Sequence, residues 1–171
     1  LGTGPGDIPI RLATVRPQWR ITAVDASPPM LDFARRAEAK ARLAGCIRWV
    51  LADAKRTGLE AAGFDVVFSN SILHHINETQ DLWAEVKRLS APGSVIFLRD
   101  LARPATAEAA RRIVRQYAGT ESSLLQDEYY RSLLAAYTPA EVREQLAQAG
   151  LGELEVAMVT DRHLDIFGRR N

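Results

Sequence analysis

Short apolar runs of strand length alternate with segments of helical period along nearly the whole 171-residue chain, and no other feature restricts the fold as much. "RITAVDA", "IRWVLAD", "FDVVFS" and "SVIFLRD" read as buried strands, the first two ending at Asp25 and Asp53. Between them lie helical patterns. Asp7 serves as the cap of a first helix reaching about Val15, Ser27 starts one that Gly45 stops, and Asn77 with Gln80 resembles a capping box for "ETQDLWAEVKRLS". A short helix over Lys55 to Ala62 completes the front half. Parallel neighbours need crossovers, so the alternation predicts an α/β fold, a doubly wound Rossmann-like sheet with helices on both faces. The unbroken "FDVVFS" run suits a strand covered on both sides.

The back half departs from that rule. Helices are expected over Thr106 to Ala118 and Glu121 to Ala136, and a third is opened by a capping box of Thr138 and Glu141 and closed by Gly150. "ELEVAMV" and "HLDIFGR" then follow with only a turn near Asp161 and Arg162 between them, too short for a crossover. The last strand should therefore run antiparallel, as a hairpin at one edge. One domain over residues 1–171 is expected, with a helical lid inserted at about 103–137.

Bulk properties exclude several classes of function. A net charge of +1, with 47% hydrophobic and 25% charged residues, provides no field for nucleic acid or an anionic membrane. A single cysteine, Cys46, rules out an internal disulfide, a redox pair and a radical cluster with three thiolates; its place before a strand suggests a core position. No apolar run approaches the ~20 residues of a membrane span and no signal peptide is visible, which reads as a cytoplasmic chain. Leu1 opens directly on a glycine loop that normally follows a strand, so a preceding strand is expected outside the given chain.

That loop, "LGTGPGD", spaces Gly2, Gly4 and Gly6 as G-x-G-x-G before a helix. Such a turn lets backbone approach a ligand closely. The dinucleotide fingerprint G-x-G-x-x-G fails, because its third glycine falls on Asp7. Asp25 ends the next strand, where a carboxylate suits both hydroxyls of a ribose. Asp53 ends the one after, where it suits an exocyclic amine. Glycine loop, acid and acid at three consecutive strand ends are more specific together than apart.

"LGTGPGD", "AVDASPPML", "LADA" and "FDVVFSNSILHHI" at these spacings resemble the class I S-adenosylmethionine-dependent methyltransferases, nearest the type 11 group that acts on small molecules and includes the quinone-biosynthesis C-methyltransferases. The resemblance implies S-adenosyl-L-methionine as cofactor and S-adenosyl-L-homocysteine as product. It puts Gly2, Thr3 and Gly4 under the methionyl part, Asp25 and Ala26 at the ribose, Met30 beside the adenosine, Asp53 and Ala54 at the adenine, and Asn70 near the methionine moiety. The family's acidic residue in the strand before the loop lies outside the chain.

In-line transfer of a methyl group needs alignment more than catalytic groups, and a base only when the nucleophile arrives protonated. His74 and His75, after the third strand of the given chain, are the catalytic candidates, with cofactor packing as the other reading. Adjacent histidines chelate one ion poorly, so no metal is expected. Asp100, Arg103, Tyr117, Tyr129 and Tyr130, with Tyr137, are the candidate acceptor-binding residues; helix packing is the alternative for the tyrosines. Trp19, Trp49 and Trp83 read as structural. The partner is a small-molecule methyl acceptor rather than nucleic acid or membrane, with room for a homodimer. Two other readings stay open: a cofactor-binding scaffold without turnover, and an NAD-dependent oxidoreductase, which lacks here both its glycine spacing and the Tyr-x-x-x-Lys pair.

Overall fold

The structure, a computed structural model, describes residues 1–171. It is α/β throughout, as the alternation requires. Two compact units divide it, Leu1–Glu60 and Ala61–Asn171, each with its own sheet.

The first unit holds helix α1 (Asp7–Val15), strand β1 (Ile21–Asp25), helix α2 (Pro28–Lys40) and strand β2 (Ile47–Leu51). The two strands pair in parallel, Ile21 opposite Ile47 through Asp25 opposite Leu51. Ala13, Ala23 and Ile47 form the centre of its core, with Ile10, Ile21, Leu43 and Trp49 packed around them. Ser27 caps α2 as expected, its hydroxyl accepting the Met30 N–H at 3.5 Å. Two local expectations fail. The residue before α1 is Gly6, and Asp7 is already helical with no side-chain cap bond. Residues 55–62 form no helix, only turns at 54–55 and 61–62 and a bridge between Asp53 and Arg56.

Glu38 explains part of this unit's register. It is buried on α2, yet one carboxylate oxygen accepts the Ile47 N–H at 3.0 Å and the other the Trp49 indole N–H at 2.9 Å. A buried charge persists only when so satisfied. Trp49 is thus structural, whereas Trp19 is 46% exposed and Cys46 lies on the surface, against the core position expected for it.

The second unit orders its strands β3-β4-β6-β5: β3 (Phe64–Asn70), β4 (Ser90–Leu101), β6 (His163–Arg169) and β5 (Glu155–Met158). β3 and β4 are parallel, with a register shift between Phe64 and Val66; β6 is antiparallel to both its neighbours, as the short turn demands. Burial on β3 alternates, Val67 inside and Val66 47% exposed, so this strand is covered on one face rather than two. On the less covered face Phe68 and Phe97 stack with ring centres 5.9 Å apart.

Helix α3 (Thr79–Leu89) packs Leu82, Trp83, Val86 and Leu89 inward, and starts without the Asn77–Gln80 box, since Glu78 precedes it and caps nothing. The segment expected as a lid is a pair of helices, α4 (Ala107–Ala118) and α5 (Ser123–Ala135), capped by Thr106 and Ser122. It has its own core of Leu101, Ala110, Ile113, Val114, Ala118, Leu133 and Ala136. Helix α6 (Pro139–Gln148) opens on the complete capping box of Thr138 and Glu141.

The Glu141 carboxyl sits below its ordinary range, first because it accepts the Thr138 backbone N–H and then because of the Arg103 guanidinium and Thr138 hydroxyl. A depressed carboxyl stabilises the fold above its unfolded value and loses that contribution as pH falls through the folded one. Glu141→Gln is expected to lower stability by about 0.5–1 kcal/mol near neutral pH, a modest figure because the pair is partly exposed. The melting-temperature gap to the parent protein should close in acid; a gap unchanged by pH would refute this account.

Candidate functional site

In the first unit the glycine loop and the end of β1 are joined directly. Gly2, Gly4 and Gly6 all take positive φ, at 63°, 55° and 89°. The Gly4 N–H donates to Asp25 Oδ2 at 2.6 Å, and the Ser27 N–H donates to Oδ1 at 2.9 Å. The Thr3 N–H is held by the Val24 carbonyl at 2.9 Å. One carboxylate therefore ties loop, strand and helix start together, while each oxygen keeps lone pairs for a further donor.

The two inner glycines differ in purpose. A Cβ on Gly6 would stand 2.8 Å from both Ala34 Cβ and Trp49 Cη2, so Gly6 lets α1 close on α2 and β2. A Cβ on Gly4 would meet nothing within 4 Å. Gly4 thus presents bare backbone to open space beside Asp25, a cradle for a close-lying ligand. Ala26 follows Asp25, and Met30 is 39% exposed in the first turn of α2. Asp53 lies past the end of β2, its Oδ1 accepting the Lys55 N–H at 2.9 Å and its Oδ2 3.4 Å from the Lys55 ammonium; Ala54 beside it is buried.

In the second unit β3 ends at Asn70, whose amide donates to Ser71 Oγ at 3.2 Å, and a 3₁₀ turn (Leu73–His75) follows. His74 is buried with its Nδ1 2.5 Å from Asp100 Oδ1. Asp100 also accepts the N–H groups of Leu73 and Leu101, each at 2.7 Å. Asp100 is 1% exposed, and in the structure its carboxylate serves the turn after β3. His75 is exposed, its ring centre 4.0 Å from that of His74. Partial burial, then the neighbouring His74, holds the His75 pKa below its ordinary value, against a smaller opposing pull from Asp100.

The candidate acceptor residues separate into roles. Arg103 is paired with Glu141. Tyr117 donates to Asp161 Oδ2 at 3.1 Å and carries the Arg162 guanidinium 3.3 Å above its ring. Tyr129 and Tyr130 pack against the core of the α4–α5 pair, with Arg111 5.4 Å over the Tyr130 ring. Burial raises the Tyr129 pKa. Tyr137 is structural: its hydroxyl donates to the Ile76 carbonyl at 2.7 Å, and burial raises its pKa too. Sequence inspection missed Arg162 and the pairing of His74 with Asp100, which lie 26 positions apart and carry no local signal.

The glycine loop, the strand-end acids and the turn after β3 all fall in a stretch matched by one family profile, described as a methyltransferase domain, over residues 1–98. The chain belongs to the methyltransferase domain family. Among curated relatives, an uncharacterized methyltransferase of Mycobacterium tuberculosis is 38% identical over 104 residues, covering 61% of this chain and 50% of that protein. The 27-O-demethylrifamycin SV methyltransferase of Amycolatopsis mediterranei is 28% identical over 152 residues, 86% of this chain and 56% of that protein. The chain thus spans about half the length of these relatives. The crystal structure of a SAM-dependent methyltransferase from Aquifex aeolicus superposes with a TM-score of 0.72 at 17% identity, covering 98% of this chain and 78% of that one, a likeness of fold. No helix of this methyltransferase domain is long and apolar enough to cross a membrane.

Proposed function

We propose that this methyltransferase domain transfers a methyl group from S-adenosyl-L-methionine to a small-molecule acceptor. The observation that carries the reading is the open cradle at Gly4 tied to the Asp25 carboxylate. The fit is chemical: exposed loop backbone accommodates the amino-acid end, and the remaining lone pairs of Asp25 suit two vicinal hydroxyls. Gly2, Thr3 and Gly4 would hold the methionyl part, Asp25 and Ala26 the ribose, Met30 the adenosine face, and Asp53 and Ala54 the adenine. When bound, the cofactor supplies a methyl group activated on a sulfonium.

The protein's own contribution is to orient the acceptor, exclude water and accept a proton where one must leave. The lid helices, through Tyr117, Tyr129 and Tyr130, would wall off the acceptor, and His74 or His75 would take the proton. The rifamycin-directed and SAM-dependent relatives support methyl transfer as the reaction class.

Calorimetric titration of the intact protein with S-adenosylhomocysteine, with NADH as control, tests this. Binding of the former alone is expected, weakened about 10- to 100-fold in Asp25→Ala, the value of a charge-assisted hydrogen bond or two. Binding of NADH in its place would overturn the reading.

A further inference from the structure

The overall charge of +1 conceals an uneven distribution. Residues 1–60 carry ten arginines and lysines against six acids, whereas residues 61–171 carry twelve against fifteen. The lack of a bulk field therefore does not extend to the first unit, where the excess gathers at one end. β1 and β2 are parallel, so α2 must carry the chain back and end where β2 begins. Arg16 follows α1, Arg20 precedes β1, Lys40 and Arg42 stand at the end of α2, and Arg48 lies one residue into β2. All five are exposed. In this unit the cations paired with a carboxylate are Arg35, to Asp32, and Lys55, to Asp53. The other acids give no compensation at this end. Asp7 and Asp25 stand at the opposite end of the unit, Glu38 is buried and engaged, and Glu60 closes the unit.

An apolar tip accompanies the charge. Trp19 is 46% exposed and Val15 58%. The Trp19 N–H donates to the Arg16 carbonyl at 3.0 Å, a turn that carries the indole between Arg16 and Arg20. The helix dipole accounts for a cation at each helix C-terminus, but not for Arg20 or Arg48 at the strand starts. A single-stranded nucleic acid needs several aromatic rings in a track on which successive bases stack. This end offers one, because the Trp49 indole is tied to Glu38. Cations drawn from two loops around one amphipathic ring suit a planar anionic surface instead. The indole then sits at the headgroup level and the guanidinium groups lie among the phosphates.

We infer that this end of the first unit docks on an anionic lipid surface, with Trp19 at the interface and Arg16, Arg20, Lys40 and Arg42 against the headgroups. β1 separates the docking end from the cradle: Arg20 precedes its first residue and Asp25 is its last. Lipid bound at one end of this strand leaves Gly4 and Asp25 uncovered at the other.

Co-sedimentation of the intact protein with vesicles tests this, using phosphatidylcholine alone or with about one-quarter phosphatidylglycerol. Binding to the anionic vesicles should exceed binding to the neutral ones about 100-fold and be lost at about 0.5 M salt. Arg20→Gln combined with Arg42→Gln should weaken it about 25-fold, the combined effect of two surface cations. Arg112→Gln with Arg169→Gln, exposed arginines of the second unit, should change nothing. Tryptophan emission should shift to the blue on binding, and Trp19→Phe should remove the shift, since Trp83 is 0% exposed. Equal binding to both vesicles, binding to neither, or undiminished binding by the Arg20–Arg42 double variant would each overturn the inference. Binding of oligo-dT in place of the vesicles would also overturn it and assign this end to nucleic acid. The comparison of the two vesicles needs no variant, so misfolding cannot mask the result. No cofactor is needed either, so the outcome is separate from that of the S-adenosylhomocysteine titration.

Discussion

Gly6→Ala is expected to destabilise the first unit by about 3 kcal/mol or more, whereas Gly4→Ala, two residues away, should leave the fold nearly intact and abolish cofactor binding. Both glycines have positive φ, 89° and 55°, so each substitution carries the strain of a side chain in left-handed backbone, about 1 kcal/mol. Only Gly6 adds a collision. The new Cβ would sit 2.8 Å from Ala34 Cβ and Trp49 Cη2 and 3.3 Å from Ala34 Cα. Ala34 is fully buried on α2 and its Cβ cannot rotate away; Trp49 is held by the Glu38 carboxylate. Relief therefore requires α1 and α2 to separate, which opens the core around Ala13, Ala23 and Ile47. At Gly4 the same methyl group enters open space and fills the cradle. Urea unfolding and S-adenosylhomocysteine calorimetry on both variants would separate the two effects. Equal stability losses would refute the assignment of one glycine to packing and the other to the ligand.

Trp83→Ala should be the most damaging single change in the second unit, at about 3–5 kcal/mol. Trp83 is 0% exposed and faces inward from α3 with Leu82, Val86 and Leu89. Its indole N–H donates to Gln145 Oε1 on α6 at 3.1 Å, so it both fills the space and joins the two helices. The replacement removes most of the ring volume, and the neighbours, already closely packed, cannot collapse into it. Trp83→Phe keeps most of the volume and loses the hydrogen bond, so it should cost about 1–2 kcal/mol, the price of an amide oxygen left without its donor. Thermal unfolding followed by circular dichroism gives both numbers. A Phe variant as damaged as the Ala variant would mean that the bond to Gln145, rather than the ring, carries the stability.

Much of this was legible residue by residue. Ser27 and the Thr138–Glu141 pair are caps whose partners stand three positions away, and the structure forms each of them. Such signals are read correctly because the partner is already in view. The same local logic misled at Asp7 and at Asn77, where a capping residue type stood near a helix start but the chain entered the helix one residue earlier or later. At "FDVVFS" an unbroken apolar run suggested burial on both faces, yet an apolar side chain tolerates partial exposure, and Val66 takes it.

The sequence by itself determined the α/β alternation, the closing antiparallel hairpin, the glycine loop and the acids at the ends of β1 and β2. Each of these depends on period, turn length or residue type within a few positions. Only the tertiary structure decided what the charged residues do. It turned Asp100 inward to hold His74, and it matched Arg99, Arg103 and Arg162 each with a carboxylate. It also divided the strands between two sheets. The reason is physical: helix and strand propensities are set by neighbours along the chain, whereas the charge and tautomer of a side chain are set by donors and acceptors that folding brings from tens of residues away.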